Sequence, residues 1–291
     1  MSSRSLPLAV LAASSCTWGL AWIPIKSLGA SGISGLALVL VASCAAGVVL
    51  LPTLIGEHAA WRTDLGGLGL IALLGGYSNL SFAVATLHGD IVRVMVLFYL
   101  LPAWGVLGGW LWLGERLDAA RLAGVGMALA GAWLMLGGPR VRWTGGLTWP
   151  DLMAISCGIA FAGNNLLFRA KQAIPVGSKT VAMLLGAAVM AAALLVADVR
   201  PWPAASSGAW LGAAGYGLGW LLVATLATQY GVTHLEAGRA SIIILLELVV
   251  AVVSAVAIGG ESMTGQEIGG GTLILLAALV EARRAARVAA S

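Results

Sequence analysis

A stretch of 28 residues occurs twice in this chain. From His88 it reads HGDIVRVMVLFYLLPAWGVLGGWLWLGE, and from His234 it reads HLEAGRASIIILLELVVAVVSAVAIGGE. One ungapped offset of 146 residues superposes the two histidines, an acidic residue, Arg93 on Arg239, and the closing Gly-Glu pair. Chance matching of apolar residues does not reproduce polar residues at both ends of a segment. The chain is therefore an internal duplication.

The repeated segment has the length of a membrane span. Between its polar ends lie about 20 residues with almost no charge, enough at 1.5 Å per residue to cross roughly 30 Å of hydrocarbon. The whole chain of 291 residues is 60% hydrophobic and only 10% charged, with a mean hydropathy of +0.97. A soluble protein of this composition would expose too much apolar surface to water. The lipid bilayer is the solvent that fits.

Apolar windows separated by charged residues and by Gly, Pro and Ser clusters predict ten helices. They are expected at about residues 7–25, 34–55, 65–86, 91–113, 118–137, 149–170, 178–197, 208–232, 238–259 and 265–282. Five lie on each side of the link GGPRVRWTGG, so residues 1–140 form the first repeat and 141–291 the second. An odd number of spans per repeat makes the second repeat enter the membrane from the opposite side. The expected fold is an all-α integral membrane protein with ten transmembrane helices in two inverted five-helix repeats, acting as one unit.

The first helices of the two repeats also match, although more weakly. When Gly19 is placed on Gly158, Trp22 falls on Phe161. An aromatic residue therefore recurs shortly after a glycine in each first helix. This match supports the duplication.

Lysines and arginines are distributed unequally over the predicted topology. Eleven of the 16 fall on the side that carries both chain termini. Because positive residues favour the cytoplasm, both termini are expected inside. The basic residues are scattered in short loops, which argues against nucleic-acid binding. Cys16, Cys44 and Cys157 have no CxxC spacing and the histidines fall at span ends, so neither a metal site nor a cofactor is predicted.

Inverted repeats place a solute site near the middle of the membrane, between the repeats. The first, third and fourth helices would line it together with the sixth, eighth and ninth. Their polar and aromatic residues compose the expected substrate-binding site: Trp22, Tyr77, Asn79, Tyr99, Phe161, Asn164, Asn165, Gln229 and Glu247. For any one of them, a hydrogen bond that holds two helices together is the alternative.

The fourth and ninth helices carry residues with more specific expected roles. Glu247 lies near the middle of a span, where an unpaired carboxylate costs at least about 2.5 kcal/mol, so it faces a cavity or is protonated. Pro102 removes a helical hydrogen bond and is expected to act as a hinge or as a static kink. Leu248 occupies the equivalent position of the second repeat, so a broken helix is expected in the first repeat only. Glu115 and Glu261 are expected to cap the fifth and tenth helices.

These features resemble the drug/metabolite transporter superfamily, in its EamA-type branch. The resemblance is carried by ten spans in two repeats, by WGLAWIPIK (18–26) in the first helix, and by LGE (113–115) and GGE (259–261) at the ends of the fourth and ninth helices. It covers nearly the whole chain, and within the branch the short chain resembles the bacterial exporters of aromatic amino acids. The resemblance implies a multi-pass exporter of the bacterial inner membrane that works by alternating access. The family's ninth helix often carries a proline where this chain has none.

We expect export of amino acids, aromatic or broadly apolar ones first, or of related small metabolites. Efflux of cationic drugs or toxic compounds is the competing transport function, because Glu247 and aromatic rings would also bind a cation. A membrane subunit without transport activity is a third alternative, and an enzyme is not expected. The expected partners are the solute and the lipid bilayer, while homo-oligomer formation stays open. A single intramembrane carboxylate without a partnered acid or histidine predicts transport that is not obligatorily coupled to protons.

Overall fold

The computed structural model describes residues 6–141, 146–197, 202–259 and 264–290. Within these ranges the chain forms helices and no strand. The α-helices are α1 (Leu6–Gly19), α2 (Trp22–Ala30), α3 (Gly35–Gly56), α4 (His58–Trp61), α5 (Leu65–His88), α6 (Ile91–Phe98), α7 (Leu101–Leu113), α8 (Ala119–Met135), α9 (Trp149–Ala170), α10 (Val176–Ala197), α11 (Ser207–Tyr216), α12 (Leu222–His234), α13 (Ala237–Ile244), α14 (Leu246–Gly259) and α15 (Gly265–Ala290). The expected cap residue Glu261 and residues 142–145 of the link between the repeats lie outside the described residues.

Eight helical segments of the described chain are long and apolar enough to cross a membrane. They are Leu6–Ala30, Gly35–Gly56, His58–His88, Ile91–Leu113, Trp149–Ala170, Val176–Ala197, Ser207–His234 and Ala237–Gly259. At the fifth predicted position α8 is a shorter apolar helix, and at the tenth α15 has 26 residues. All ten predicted segments are thus helical. That all ten cross the membrane stays a prediction.

The fourth span (α6 and α7) and the ninth span (α13 and α14) are broken at equivalent positions. Tyr99 and Leu100 separate α6 from α7, and Leu245, 146 residues after Tyr99, separates α13 from α14. The expectation of a break in the first repeat only is therefore wrong. At the first break one backbone hydrogen bond is missing, because Pro102 has no N–H to donate to the carbonyl of Phe98. The second break has no proline.

The ninth span breaks where the first span packs against it. A Cβ placed on Gly19 would lie 2.5 Å from the carbonyl oxygen of Glu247, so the two backbones are in direct contact. The N–H of Leu248 reaches back only three residues, to the carbonyl of Leu245 at 3.1 Å. Glu247 lies in the first turn of α14, where a negative charge favours a helix start. Close packing and a favourable new start thus accompany this break without a proline.

Helices of the two repeats are interleaved in two bundles. The first bundle consists of α5, α6, α7 and α9, and the second consists of α1, α2 and α11 to α14. Each bundle therefore takes its first-span helix, α9 or α1, from the other repeat. Outside the bundles, α8 packs against α15, and α10 packs against α3 and α5.

The two bundles pack against each other at the end of the molecule where α1 begins, which we call the terminal side. A Cβ on Gly105 of α7 would lie 2.6 Å from the Ser241 hydroxyl of α13. Arg169 of α9 donates to the carbonyl of Thr233 at the end of α12, at 3.2 Å. A buried apolar cluster joins the helices here: Leu11, Ile71, Leu101, Ala162, Phe168, Met183, Val232, Leu235, Ala240, Ile243 and Ile244. The main core thus lies in this half.

At the other end, which we call the opposite side, the polar contacts that the structure describes lie within one bundle. In the first bundle Arg93 of α6 forms a buried ion pair with Asp151 of α9. In the second bundle α2 lies on α11, where a Cβ on Gly212 would be 3.3 Å from Leu28. α2 and α14, the opposite-side halves of the first and ninth spans, are joined by a hydrogen bond from Trp22 to Ser254. A second buried apolar cluster, which includes Tyr99 of the first bundle and Leu245 and Leu248 of the second, joins the two bundles near the helix breaks.

Candidate functional site

Tyr99 and Glu247 meet between the two bundles, at the two helix breaks. The Tyr99 hydroxyl donates to Oε1 of Glu247 at 2.9 Å. Tyr99 is buried and follows the last residue of α6, whereas Glu247 is half-buried in the first turn of α14. Both residues were predicted site residues, and no ion pair of Glu247 occurs within the described ranges. The junction therefore presents one carboxylate, hydrogen-bonded across the repeats.

Aromatic rings lie beside this junction. The ring centroid of Phe98 is 5.2 Å from that of Tyr99, 5.8 Å from that of Phe161 and 5.2 Å from that of Phe82. Phe161 was a predicted site residue, whereas sequence reasoning missed Phe82 and Phe98. A signal existed, because all four phenylalanines of the chain fall in the third, fourth and sixth spans. The rings form an apolar wall next to the carboxylate.

Trp22 borders the opposite-side half of the second bundle. Its indole Nε1 donates to the hydroxyl of Ser254 on α14 at 2.9 Å. The Nζ of Lys26 lies 5.8 Å from the Trp22 ring centroid, within cation–π range. Trp22 is half-buried, so part of its ring faces open space. The residue both ties α2 to α14 and presents an aromatic surface.

Tyr77 and Asn79 lie on α5 in the opposite-side half of the first bundle. The Tyr77 hydroxyl is 2.8 Å from that of Ser156 on α9, and the Asn79 amide donates to the carbonyl of Gly75 on its own helix. Asn79 is nevertheless exposed. It follows the exposed Leu70 by nine residues, which puts the two on opposite faces of an α-helix. The Asn79 side chain is therefore exposed on the face of α5 opposite to Leu70.

Asn164 and Gln229 are placed differently from what the sequence analysis expected. Their amide groups both contact the thioether sulfur of Met183, with Asn164 Nδ2 at 3.4 Å and Gln229 Nε2 at 3.7 Å. Both residues are buried, and within the described chain their side-chain oxygens have no hydrogen-bond partner. The structure thus places these two amides in the packed terminal-side half, away from open space.

Asn165 borders a small cavity of about 10 Å³ between α7, α9, α12 and α13. Its neighbours there include Gly105 and Ser241. A space of this size holds one water molecule at most and excludes an amino acid. Asn165 therefore does not line an open solute path in this conformation.

A groove of about 310 Å³ on the opposite side was not anticipated from the sequence. It runs between α2 and α11 and is lined by Pro24, Ser27, Leu28, Gly212, Gly215, Tyr216, Gly219 and Trp220. A short π-helix at Gly217–Leu221 widens the turn that joins α11 to α12 at this groove. Three glycines leave its floor without side chains.

Glu115 caps a helix, but not the one that was expected. Its carboxylate accepts from the backbone N–H of Ala237 at 2.6 Å and of Gly238 at 3.3 Å, at the start of α13. The fifth span is instead capped by Asp118, which accepts from the N–H of Arg121. The expected cap on the fifth helix is therefore wrong, because a residue closer to that helix takes the position.

Comparisons with known proteins fit this architecture. One crystal structure of a protein superposes with a TM-score of 0.79 over 96% of this chain and 98% of its own, at 20% sequence identity, a level that shows the fold alone. No curated protein matches the sequence. The sequence profile of the EamA-like transporter family matches twice, at residues 5–137 and 148–281. Together these matches cover most of the chain, which is thus a multi-pass membrane protein that belongs to the EamA-like transporter family.

Proposed function

We propose that this protein exports amino acids, aromatic or broadly apolar ones first, through a site at the Tyr99–Glu247 junction. The observation that carries the proposal is that two broken spans, one from each repeat, meet at a carboxylate bordered by aromatic rings. In transporters with inverted repeats, broken helices near the membrane midplane provide backbone groups and half-helix ends that bind charged parts of the solute. A zwitterion with an apolar side chain matches these groups.

The ammonium group of an amino acid is the part that Glu247 would recognise. Glu247 offers a carboxylate with one hydrogen bond from Tyr99, so its remaining lone pairs can accept from an ammonium. The carbonyl of Phe98 is a second acceptor nearby, since Pro102 cannot donate to it. The rings of Phe82, Phe98 and Phe161 would supply the apolar contact area for the side chain of the solute.

Efflux of organic cations is the competing function, and the same junction favours it. A cation without a carboxylate would also pair with Glu247 and rest on the faces of Trp22 and Phe161. The two functions differ in what the rest of the site must bind. An amino acid needs donors for its carboxylate, whereas an organic cation needs only apolar and aromatic surface.

Transport by the purified protein distinguishes these functions. The protein would be reconstituted in liposomes, and uptake of labelled phenylalanine, leucine, lysine and an aromatic quaternary ammonium compound would be compared with protein-free liposomes. Preferential uptake of phenylalanine and leucine supports the proposal. Uptake of the quaternary ammonium alone would support cation efflux, and no uptake of any solute would favour a subunit role.

We further propose that both termini face the cytoplasm of a bacterial inner membrane. The support is the excess of lysine and arginine on the terminal side. A single cysteine at position 142 should react with an impermeant thiol reagent added outside intact cells. Reaction only from the cytoplasmic face would reverse the orientation.

We also propose that transport does not require a proton gradient, because Glu247 has no second acid or histidine beside it in the described chain with which to pass protons. Uptake into liposomes at equal internal and external pH should then proceed down the solute gradient. Uphill accumulation driven by a pH gradient alone, and lost in Glu247→Gln, would contradict this proposal.

A further inference from the structure

Charged side chains from both repeats converge at the terminal side, around Arg121 of α8. Its guanidinium donates to Glu115 at 3.1 Å and to Glu281 of α15 at 3.3 Å, and it also pairs with Glu236, which precedes α13. Arg121 and Glu281 are fully buried and Glu115 is nearly so, while Glu236 is partly exposed. Ion pairs removed from water are screened little by salt, and the loss of one partner leaves a buried charge uncompensated, which is strongly destabilising.

The geometry of Glu115 makes this cluster a connection between the two bundles. Gly114 ends α7 with a positive φ of 65°, a conformation that glycine adopts without steric cost. The turn directs Glu115 toward the start of α13, where it accepts from Ala237 and Gly238 N–H. The first turn of the ninth span is therefore capped by a residue that follows the fourth span. Separating α7 from α13 would break these bonds and the Arg121–Glu236 pair together.

The duplication does not repeat the arginine of this cluster on the opposite side. The position 146 residues after Arg121 is Glu267, an acid in place of the arginine. Glu267 makes a local cap instead, accepting from the N–H of Thr264 at 2.6 Å and from its hydroxyl at 2.8 Å. The residue equivalent to Glu236 is Asp90, which caps its own helix α6 by accepting from the N–H of Arg93. An arginine at this position, with acids around it, is thus a feature of the terminal side alone.

We propose that Glu115, Arg121 and Glu236 form a one-sided clamp that holds the solute-free transporter closed on the terminal side. The clamp resists separation of α7 from α13, and at the position equivalent to Arg121 on the opposite side Glu267 makes a local cap instead of an ion pair with another helix. The two conformations of alternating access are therefore unequal in free energy, and the empty protein rests open toward the opposite side. The inference relies on the proposed transport function only for the motion between these two conformations.

Two cysteine reporters would measure the resting conformation directly. In a full-length chain with its three native cysteines changed to alanine, Ser241→Cys reports on the terminal side, because Ser241 is buried against Gly105. In a second chain Asn79→Cys reports on the opposite-side half, where Asn79 is exposed. The rate of reaction with a maleimide in detergent gives the accessibility of each position, and no transport substrate is needed.

Glu236→Gln is the main test variant, because the partial exposure of Glu236 makes its removal least harmful to folding. We expect reaction at the Ser241→Cys reporter to rise by about tenfold, the factor that corresponds to a shift of about 1.4 kcal/mol in the equilibrium. Reaction at Asn79→Cys should fall at the same time, because the opposite side closes as the terminal side opens. Glu115→Gln should change both reporters in the same directions.

Glu267→Gln is the matched control, since it changes an acid at the position equivalent to Arg121 and should leave both reporters unchanged. Unaltered reporters in Glu236→Gln and Glu115→Gln would overturn the clamp. An increase at Ser241→Cys without a decrease at Asn79→Cys would also overturn it, because that result indicates local loosening. If the reporters respond but liposomes take up no solute, the clamp stands and the proposed transport function fails.

Discussion

The fourth and ninth spans break at equivalent positions, and different interactions accompany the two breaks. In the fourth span Pro102 removes a backbone hydrogen bond, so the interaction that accompanies this break is local in sequence. In the ninth span Leu248 takes that position, and the break lies where the backbone of Gly19 contacts Glu247. The backbones of the two repeats therefore break at equivalent positions, although the residues that accompany the break differ between the repeats.

The two breaks also differ in how closely the neighbouring helix packs on them. Gly19 of α1 packs on the ninth span, and Gly158 of α9 packs on the fourth. A Cβ on Gly19 would be 2.5 Å from the backbone oxygen of Glu247, whereas one on Gly158 would be 3.1 Å from that of Phe98. The first distance is incompatible with a side chain unless the backbone moves, and the second requires only a small shift.

Gly19→Ala should give the largest effect. The added methyl group forces the first and ninth spans apart, and overpacking of this kind costs about 1–3 kcal/mol. We expect a clear fall in the SDS concentration that unfolds the purified protein in mixed micelles, together with loss of most transport. Gly158→Ala is the matched control, and its loss of stability should be less than half of the loss in Gly19→Ala. Equal losses in the two variants would show that the ninth span does not depend on this contact.

The sequence predicted the fold well because the duplication is explicit. Polar residues in register predicted the spans, and Pro102 predicted the first break. The second break could not be predicted, since nothing in the ninth span itself resembles a helix breaker. It lies at a contact with Gly19, more than 200 residues earlier in the chain. Such a contact exists only in the folded structure.

Tyr99→Phe should have an intermediate effect, because it removes the one side-chain hydrogen bond described between the two breaks while it keeps the ring. A hydrogen bond of this kind contributes about 1 kcal/mol to stability. The SDS concentration that unfolds half of the protein should fall accordingly. The solute concentration that gives half-maximal transport should change. Tyr230→Phe, whose ring packs on His234 at the terminal side, is the control. An unchanged midpoint and an unchanged solute response in Tyr99→Phe would mean that the junction does not connect the bundles.

Pro102→Ala should have the smallest effect. The new N–H could join α6 to α7, yet the ninth span breaks with leucine at the equivalent position, so we expect the fourth span to stay broken. The stability change should remain within about 1 kcal/mol, and transport should fall less than about threefold. On this view the break acts as the hinge, and the proline ring is not essential. Loss of transport with normal stability would instead assign the hinge to Pro102 itself.

The candidate site was only partly predictable. Sequence reasoning found Tyr99 and Glu247, since polar groups deep in apolar spans need partners. It could not tell which polar residues face open space, and Asn164 and Gln229 contact Met183 inside the packed half. Arg121 was counted only as a positive charge near the cytoplasm. Its burial depends on acids as far as 160 residues away in sequence, and nothing in the local pattern indicates them.

Discrimination between phenylalanine and 3-phenylpropanoate tests the central claim, that Glu247 at the meeting point of the two breaks binds the ammonium group of the solute. The two compounds share the ring and the carboxylate, and only phenylalanine has the ammonium. Competition for uptake into liposomes would give the concentration of each that halves transport. The wild-type protein should prefer phenylalanine by at least about tenfold, equivalent to about 1.4 kcal/mol, and Glu247→Gln should reduce the preference to about twofold or less. A preference that is the same in both proteins would contradict the claim.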